Sequence, residues 1–264
     1  MEPTQNTNIR NTANEEELLL PFEKQRLSGD YRHYYAIKRR NFRATIDGFS
    51  DLWQCFQLLD EIWPREFNDL ERQLEPKQML PLLLFAGAHA QFRIAYELGF
   101  CCCIGEAWNT LRSAIESVAH AHKTLREPNL IRVWVEKDDG STQRKEFEKH
   151  FLHDKKQNLF PREHGFEKLH EYWSQYSEWG THTTVSNLAR RFRQETTPTD
   201  VNWRLEYFEV DPQRLATSLF SLLAASSLME RAFFNAFDTR LGSTMYSQTC
   251  ALGSSRKRKA REKT

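Results

Sequence analysis

The chain has 264 residues, of which 39% are hydrophobic and 28% charged, so it is long and apolar enough to bury a core rather than remain disordered. Only ten glycines and nine prolines are present, which disfavours a turn-rich all-β fold. The net charge of +1 is the sum of +5 over residues 254–264 and −4 over residues 1–253. Because residues 1–253 are mildly acidic, the chain is not expected to bind nucleic acid along its whole length.

The sequence also disfavours a membrane protein and a metal-binding protein. Residues 1–14 are polar and lack the apolar core of a signal peptide, and the most apolar stretch, 79–88, is too short to span a bilayer. We therefore expect no membrane partner and a cytoplasmic location. The adjacent Cys101, Cys102 and Cys103 would point about 100° apart on a helix, and no CxxC or HExxH spacing occurs, so we expect no metal site and no cofactor.

Helical periodicity begins near Asp30, which is a plausible N-cap, after a leader of residues 1–29 that we expect to be disordered or loosely docked. Apolar residues then recur every three or four positions as far as Leu74. Pro64 is expected to end or kink this helix, and Pro76 predicts the first turn of the next one.

The rest of the chain follows the same helical pattern. The further long helices are predicted over about 102–126, 142–158, 166–178 and 212–240, the last with Asp211 as its N-cap and Pro212 in its first turn. Helical spacing also resumes from Thr181 to Phe192, and a polar loop is expected over 195–202. Alternation of residue types indicates at most one short extended segment, near 203–208. These elements predict an all-α helical bundle of five or six main helices within residues 30–242, followed by a basic disordered tail at 243–264.

A stripe of polar residues interrupts the apolar pattern of the predicted third helix. At spacings of three, four and four, one narrow face carries Asn109, Arg112, Glu116 and His120. A second polar group follows later in the chain, at Tyr172, Tyr176, Ser177 and His182. If the two groups meet inside the bundle, they form a polar cluster enclosed by apolar contacts.

Such a cluster has two interpretations. In the first, His182 is a general acid or base, Arg112 stabilises a phosphate, and Glu116 pairs with Arg112, which makes these three the candidate catalytic residues. In the second, the cluster is a structural hydrogen-bond network that fixes the register of the helices.

Two family resemblances bear on this choice. The pair Arg112 and Glu116, followed by Tyr176, Ser177 and His182, resembles a set of bacterial all-helical proteins of unknown function. That resemblance spans about residues 76–240 and implies a helical bundle.

The pair Arg144 and His150 is similar to the Arg-x4-6-His motif of the HEPN superfamily of helical bundles, many of which are RNases. In that superfamily the motif lies at a dimer cleft. This resemblance implies a metal-independent RNase and a homodimer.

The C-terminal tail contains a dense cationic run at Arg256, Lys257, Arg258 and Lys259. The run is either a nucleic-acid contact or a solvated, disordered end. Taken together, the sequence favours a regulatory or partner-binding module, and we expect a role in bacterial defence or stress and a protein or RNA partner. The alternative is a HEPN-like RNase or another phosphoryl-transfer enzyme.

Overall fold

The computed structural model describes residues 18–71, 75, 78–152, 159–162, 165–181, 191–196 and 200–237. Over these residues the chain forms an all-α bundle, as predicted, with a small β-hairpin at its edge. The helices are α1 Pro21–Arg26, α2 Gly29–Gly48, α3 Ser50–Glu71, α4 Met79–Phe100, α5 Ile104–Arg126, α6 Leu130–Val135, α7 Ser141–Phe151, α8 Phe166–Tyr176 and α9 Pro212–Phe237. A π-helical turn, Ser177–Thr181, extends α8, and the strands are β1 Phe192–Thr196 and β2 Val201–Leu205.

Helix α5 lies at the centre of the bundle. It packs most extensively on α4, to which the short Cys101–Cys103 connection joins it, and it also contacts α8 and α9. Its apolar residues at helical spacing, Leu111, Ile115 and Val118, are fully buried. Burial of such side chains is the main favourable term in folding, so this helix organises the packing of its neighbours.

Aromatic side chains fill the space between α3, α4 and α9. Phe56 of α3 stacks on Tyr96 of α4 with ring centroids 4.2 Å apart. Farther along, Trp63 of α3 stacks between His89 of α4 at 5.2 Å and Phe233 of α9 at 5.6 Å. These rings bury large areas in specific geometries, which accounts for the use of so many Phe and Trp residues.

The first long helical segment breaks at a different place from the predicted one. The break lies at Phe49, whose non-helical backbone separates α2 from α3, whereas Pro64 lies inside α3. Proline removes one backbone hydrogen bond, but Trp63 and Leu70 on either side are buried and hold the helix in place. The prediction that Pro64 ends the helix was therefore wrong.

Two helices begin at other residues than the sequence predicted. The residue before α2 is Ser28 rather than Asp30, which lies within the first turn. Helix α4 begins at Met79, and Pro81 occupies its first turn, where the missing amide hydrogen costs no helical bond. Pro76 lies outside the described residues.

A β-hairpin lies between α8 and α9 in the chain. Strands β1 and β2 pair antiparallel, with Phe192 opposite Leu205 and Thr196 opposite Val201. The extended segment predicted near 203–208 overlaps β2, while β1 falls where the sequence indicated helix and loop. Strand formation here depends on pairing with a second segment, which local periodicity does not report.

The start of α9 and the docking of α1 involve specific polar contacts. As predicted, Asp211 caps α9, because its Oδ1 accepts hydrogen bonds from the backbone amides of Gln213 and Arg214. Arg39 of α2 donates to the carbonyl of Leu18 and pairs with Glu23 of α1.

The structure describes part of the predicted leader and none of the predicted tail. Residues 1–17 and the whole segment 243–264 lie outside the described residues. Among the helices that are described, none combines the length and the apolar character needed to cross a membrane.

The central position of α5 leads to a stability prediction. Leu111→Ala should lower the free energy of unfolding by about 2–5 kcal/mol, because it leaves a cavity at a fully buried position. Leu58→Ala removes the same atoms from an exposed position on α3 and should cost less than about 1 kcal/mol. Urea denaturation measures both values, and equal losses in the two variants would contradict a central α5.

Candidate functional site

Arg112 is the centre of a compact polar contact between α5 and the end of α8. Its Nε donates a 2.7 Å hydrogen bond to Oγ of Ser177, and its guanidinium lies 5.0 Å from the ring centroid of Trp173. Glu116, one turn along α5, lies 3.7 Å from the other side of the guanidinium. The arginine side chain is half-buried and Glu116 is more exposed, so this contact lies at the edge of the core.

A close approach between the π-helical turn and α5 accompanies this contact. A Cβ atom at Gly180 would lie 3.1 Å from the backbone nitrogen of Asn109 and 3.1 Å from the carbonyl oxygen of Gly105. Only glycine fits this approach without displacing backbone. Ser177, at the start of the same turn, donates to the carbonyl oxygen of Trp173 while it accepts from Arg112.

The two tyrosines of the predicted cluster belong to a different contact. Tyr176 is fully buried, and its hydroxyl lies 2.8 Å from Oγ of Ser221 on α9. Burial raises the pKa of Tyr176 well above its usual range, so the phenol is neutral. Tyr172 packs 5.9 Å from Tyr176, and Lys168 lies over its ring. Tyr176 therefore joins α8 to α9 and has its hydroxyl partner there.

His120 occupies a third environment, between α5, α6 and α7. Its Nδ1 accepts a 3.3 Å hydrogen bond from Nε1 of Trp134, which can only donate. The rings of Phe147 and Phe151 pack against it edge-on. Burial, together with the nearby charge of Lys137, lowers the pKa of His120 to about 4, so its imidazole is neutral at pH 7.

The HEPN-like pair lies on α7. Arg144 forms ion pairs with Glu148 at 3.1 Å and Asp138 at 3.6 Å, and His150 lies 3.0 Å from Glu146. The contacts with Glu148 and Glu146 are made along the surface of α7, Asp138 lies just before this helix, and Phe147 and Phe151 form its buried face. Arg144 and His150 are six residues apart and lie on different sides of the helix.

Several predicted site residues fall outside the described residues. His182 directly follows the π-helical turn, and Arg256, Lys257, Arg258 and Lys259 belong to the tail. The meeting of Arg112 with His182 thus stays a prediction. In the part of the chain that the structure describes, no group of three or more His, Cys, Asp or Glu side chains is arranged to hold a metal ion.

Comparisons with known protein families, with characterised proteins and with solved structures give no match to this chain. The resemblances to bacterial helical proteins of unknown function and to the HEPN superfamily therefore stay predictions.

A charged group between α3 and α4 was not predicted from the sequence. Oδ1 of Asp60 lies 2.8 Å from Nε2 of His89 and 2.6 Å from Nε of Arg93, and Oδ2 accepts a second bond from Arg93. Burial opposes ionisation of Asp60, but the hydrogen bonds from Arg93 and His89 outweigh it and lower the pKa of the carboxyl. This group ties α3 to α4 through a charge-assisted, two-bond arginine contact.

A second missed feature is a pair of buried carboxyl groups, Glu66 on α3 and Glu230 on α9. Glu230 is only 3% exposed, and each side chain has one oxygen without a hydrogen-bond partner among the described residues. Burial raises the pKa of both carboxyls, and their mutual proximity raises that of Glu66 further. The two groups are therefore held in a protonated, hydrogen-bonded pair.

A signal for this pair was present in the sequence. Glu66 lies between Trp63 and Phe67, and Glu230 lies beside Met229 and Phe233, so both fall on the apolar faces of their helices. A carboxyl group at such a position is buried unless the helix turns its apolar face to solvent.

The carboxyl pair predicts a loss of stability with rising pH. In the unfolded chain both groups ionise near pH 4.5, whereas the folded state keeps a proton at higher pH. The contribution of this pair to stability is therefore fully present below pH 4.5 and is lost as the pH rises above it. Glu230→Gln, which keeps the shape and removes one titrating group, should flatten this fall.

Urea denaturation at pH 5, 7 and 9 measures the effect. Glu97→Gln is the matched control, because Glu97 is exposed at the surface of α4. If Glu230→Gln and the unmodified chain lose stability in parallel over this range, the carboxyl pair is not protonated in the folded state.

Proposed function

We propose that this chain is a partner-binding module without catalytic activity, and that its partner is single-stranded RNA. The observation that carries the proposal is an exposed aromatic surface on α2, in a segment of net positive charge. A role in bacterial defence or stress is part of the same proposal.

Two residues of the predicted polar cluster, the catalytic candidate Arg112 and the neighbouring His120, are engaged in contacts between helices. Arg112 donates a hydrogen bond to Ser177, packs on Trp173 and faces Glu116. Through the first two contacts its side chain connects α5 to the end of α8. A general acid or base must reach the proton that it transfers, but His120 is buried and hydrogen-bonded to a tryptophan. These contacts support the structural-network interpretation of the cluster.

The aromatic part of the α2 surface is a ladder of rings. Tyr31 stacks on Tyr34 at 5.9 Å, and Tyr34 stacks in turn on Phe208 at 5.2 Å. Tyr207 meets Tyr34 edge-on at 6.1 Å. The outer rings are open to solvent, since Tyr31 is 51% exposed and Tyr207 is 60% exposed. Exposed, pre-stacked rings are platforms on which the bases of a single strand stack with little sequence preference.

The charge of the same region suits a polyanion. Residues 18–48 contain seven Lys or Arg and three Asp or Glu, although the body of the chain as a whole is acidic. Arg26, Arg40 and Arg43 are exposed, and Lys38 and Arg39, which lie nearer to the rings on α2, form ion pairs with Glu97 and Glu23. A net positive charge on this segment favours the approach of a phosphate backbone, and the exposed rings provide the stacking surface for its bases.

Fluorescence anisotropy with a labelled single-stranded RNA tests this function. We expect binding at low ionic strength that weakens as salt is added, because cations released from the phosphates contribute to affinity. Tyr31→Ala should weaken binding by about 5- to 150-fold, which corresponds to the loss of one stacked base. Phe220→Ala removes an exposed ring from α9 instead and should bind as the unmodified chain does. Equal affinities for the two variants, or no binding in low salt, would reject the α2 surface as an RNA site.

The rival function is a metal-independent RNase that uses Arg112, Glu116 and His182. Incubation of RNA with the purified chain in the presence of a chelator distinguishes the two functions. We expect no cleavage above background by the unmodified chain, by His182→Ala or by His150→Ala. Cleavage that disappears in one of the histidine variants would replace the binding proposal with the enzymatic one.

A further inference from the structure

An arginine continues a row of aromatic rings on the α2 surface. Tyr31, Tyr35 and Arg39 follow one another at intervals of four residues, so they lie on the same side of the helix. The rings of Tyr31 and Tyr35 lie 5.7 Å apart, and the guanidinium of Arg39 lies 5.9 Å from the ring centroid of Tyr35. Tyr31 and Arg39 are about 12 Å apart along the helix, which is short enough for one RNA strand to contact both.

A segment of the same chain already contacts this arginine. Nη2 of Arg39 forms an ion pair with Glu23 of α1, and Nη1 donates a 3.1 Å hydrogen bond to the carbonyl oxygen of Leu18. The Glu23 side chain is only 14% exposed. A carboxylate and a phosphate offer an arginine a similar pair of anionic oxygens. Glu23 therefore occupies a guanidinium that a phosphate of the RNA would otherwise contact.

The charge of the sequence changes sign beside this contact. Residues 15–23 contain four Glu and no Lys or Arg, whereas residues 24–48 contain seven Lys or Arg and two Asp. In the described part of the chain, the ion pair of Glu23 with Arg39 joins the acidic stretch to the basic one. An acidic stretch that binds a basic one competes with a polyanion for the same cations.

Helix α1 is attached to the bundle by contacts at its edges. None of its six residues is buried, and Phe22 is 69% exposed. A helix of this length is not stable by itself in water, so α1 depends on its docking contacts. Besides those of Arg39, they include the burial of Leu19 and a 3.2 Å hydrogen bond from Arg32 to the carbonyl oxygen of Leu27. A segment attached in this way can leave α2 while the bundle stays folded.

We propose that residues 18–26 are an autoinhibitory segment, which holds Arg39 through Glu23 and leaves α2 when single-stranded RNA binds. This inference rests on the proposed RNA-binding function and adds its regulation. Because Arg39 is open to the RNA only after the segment has left, the apparent affinity is reduced by the fraction of chains in the open form.

Fluorescence anisotropy with a labelled single-stranded RNA tests the competition. Glu23→Gln removes the charge that holds Arg39 and should tighten binding by about 3- to 10-fold, because the RNA no longer has to break the ion pair. Glu136→Gln is the matched control: it removes one negative charge from an exposed ion pair at the end of α6. It should change the affinity by less than about twofold, since salt screens distant surface charges.

A double-mutant cycle separates this effect from a general change of charge. Arg39→Gln should weaken RNA binding. In that background Glu23→Gln should have no further effect, because the acid no longer has an arginine to occupy. An equal gain from Glu23→Gln in both backgrounds would contradict the competition. Circular dichroism and thermal melting verify that the variants are folded.

Cysteine labelling measures the displacement of the segment. Leu19→Cys is made in a chain in which Cys55 and Cys250 are replaced by serine, and maleimide labelling is followed by mass spectrometry with and without the RNA. Labelling at position 19 should be slow in the free chain, where Leu19 is 5% exposed, and faster at saturating RNA. Leu58→Cys, at an exposed position of α3, should label at the same rate in both conditions.

Failure of the inference and failure of the function give different results. If the RNA does not bind the unmodified chain in low salt, the proposed function is rejected and the inference with it. If the RNA binds, but Glu23→Gln leaves the affinity unchanged or position 19 stays protected, the α2 surface remains an RNA site. The autoinhibitory role of residues 18–26 is then overturned.

Discussion

Burial of α5 is the constraint on which the rest of the structure depends. The helix presents Leu111, Ile115 and Val118 to its neighbours with no exposure to solvent, and α4, α8 and α9 pack around it. Because one side of α5 carries Arg112 and Glu116, that side has to lie at the edge of the core. The position of the candidate site thus follows from the need to bury the apolar side of the same helix.

Polar groups within the bundle are distributed among several local contacts. Arg112 joins α5 to α8, Tyr176 joins α8 to α9, and His120 joins α5 to α6. Each contact gives its polar side chain a hydrogen-bond partner, and a polar group that is buried without a partner costs free energy. Such contacts fix how helices sit against each other, which an apolar interface does less specifically.

The carboxyl pair of α3 and α9 differs from these contacts, because it costs stability at neutral pH. Holding Glu66 and Glu230 in a dry interface requires a proton that the unfolded chain does not keep. A pair of amides or apolar residues would avoid this cost. The hydrogen bond between the two carboxyls offsets only part of this cost, since one oxygen of each group has no hydrogen-bond partner among the described residues.

The surface proposed for RNA binding uses aromatic residues that stay partly exposed on the folded chain. In the sequence of α2 these residues are interleaved with Lys and Arg, whereas α4 contains no Lys or Arg from Met79 to Phe92. Charge therefore favours α2 over this part of α4 as the contact for a polyanion.

Periodicity in the sequence was sufficient to identify the long helices and the all-α class, because a 3.6-residue apolar repeat is a local property. The Asp211 cap at the start of α9 was predicted for the same reason, since its bonds reach only two or three residues. Pro64 misled the prediction, because burial of Trp63 and Leu70 outweighs the loss of one backbone hydrogen bond.

Only the tertiary structure decided which polar residues meet. The sequence spacing places Arg112, Glu116 and His120 on one stripe of α5. In the folded chain, however, Arg112 contacts the end of α8, and His120 contacts α6 and α7. Packing likewise paired β1 with β2 and brought Glu66 to Glu230 across more than 160 residues. The order of residues along the chain determines which side chains share a helix face. Which other helix packs against that face depends on how all the helices fill a common core, and this packing is a property of the whole chain.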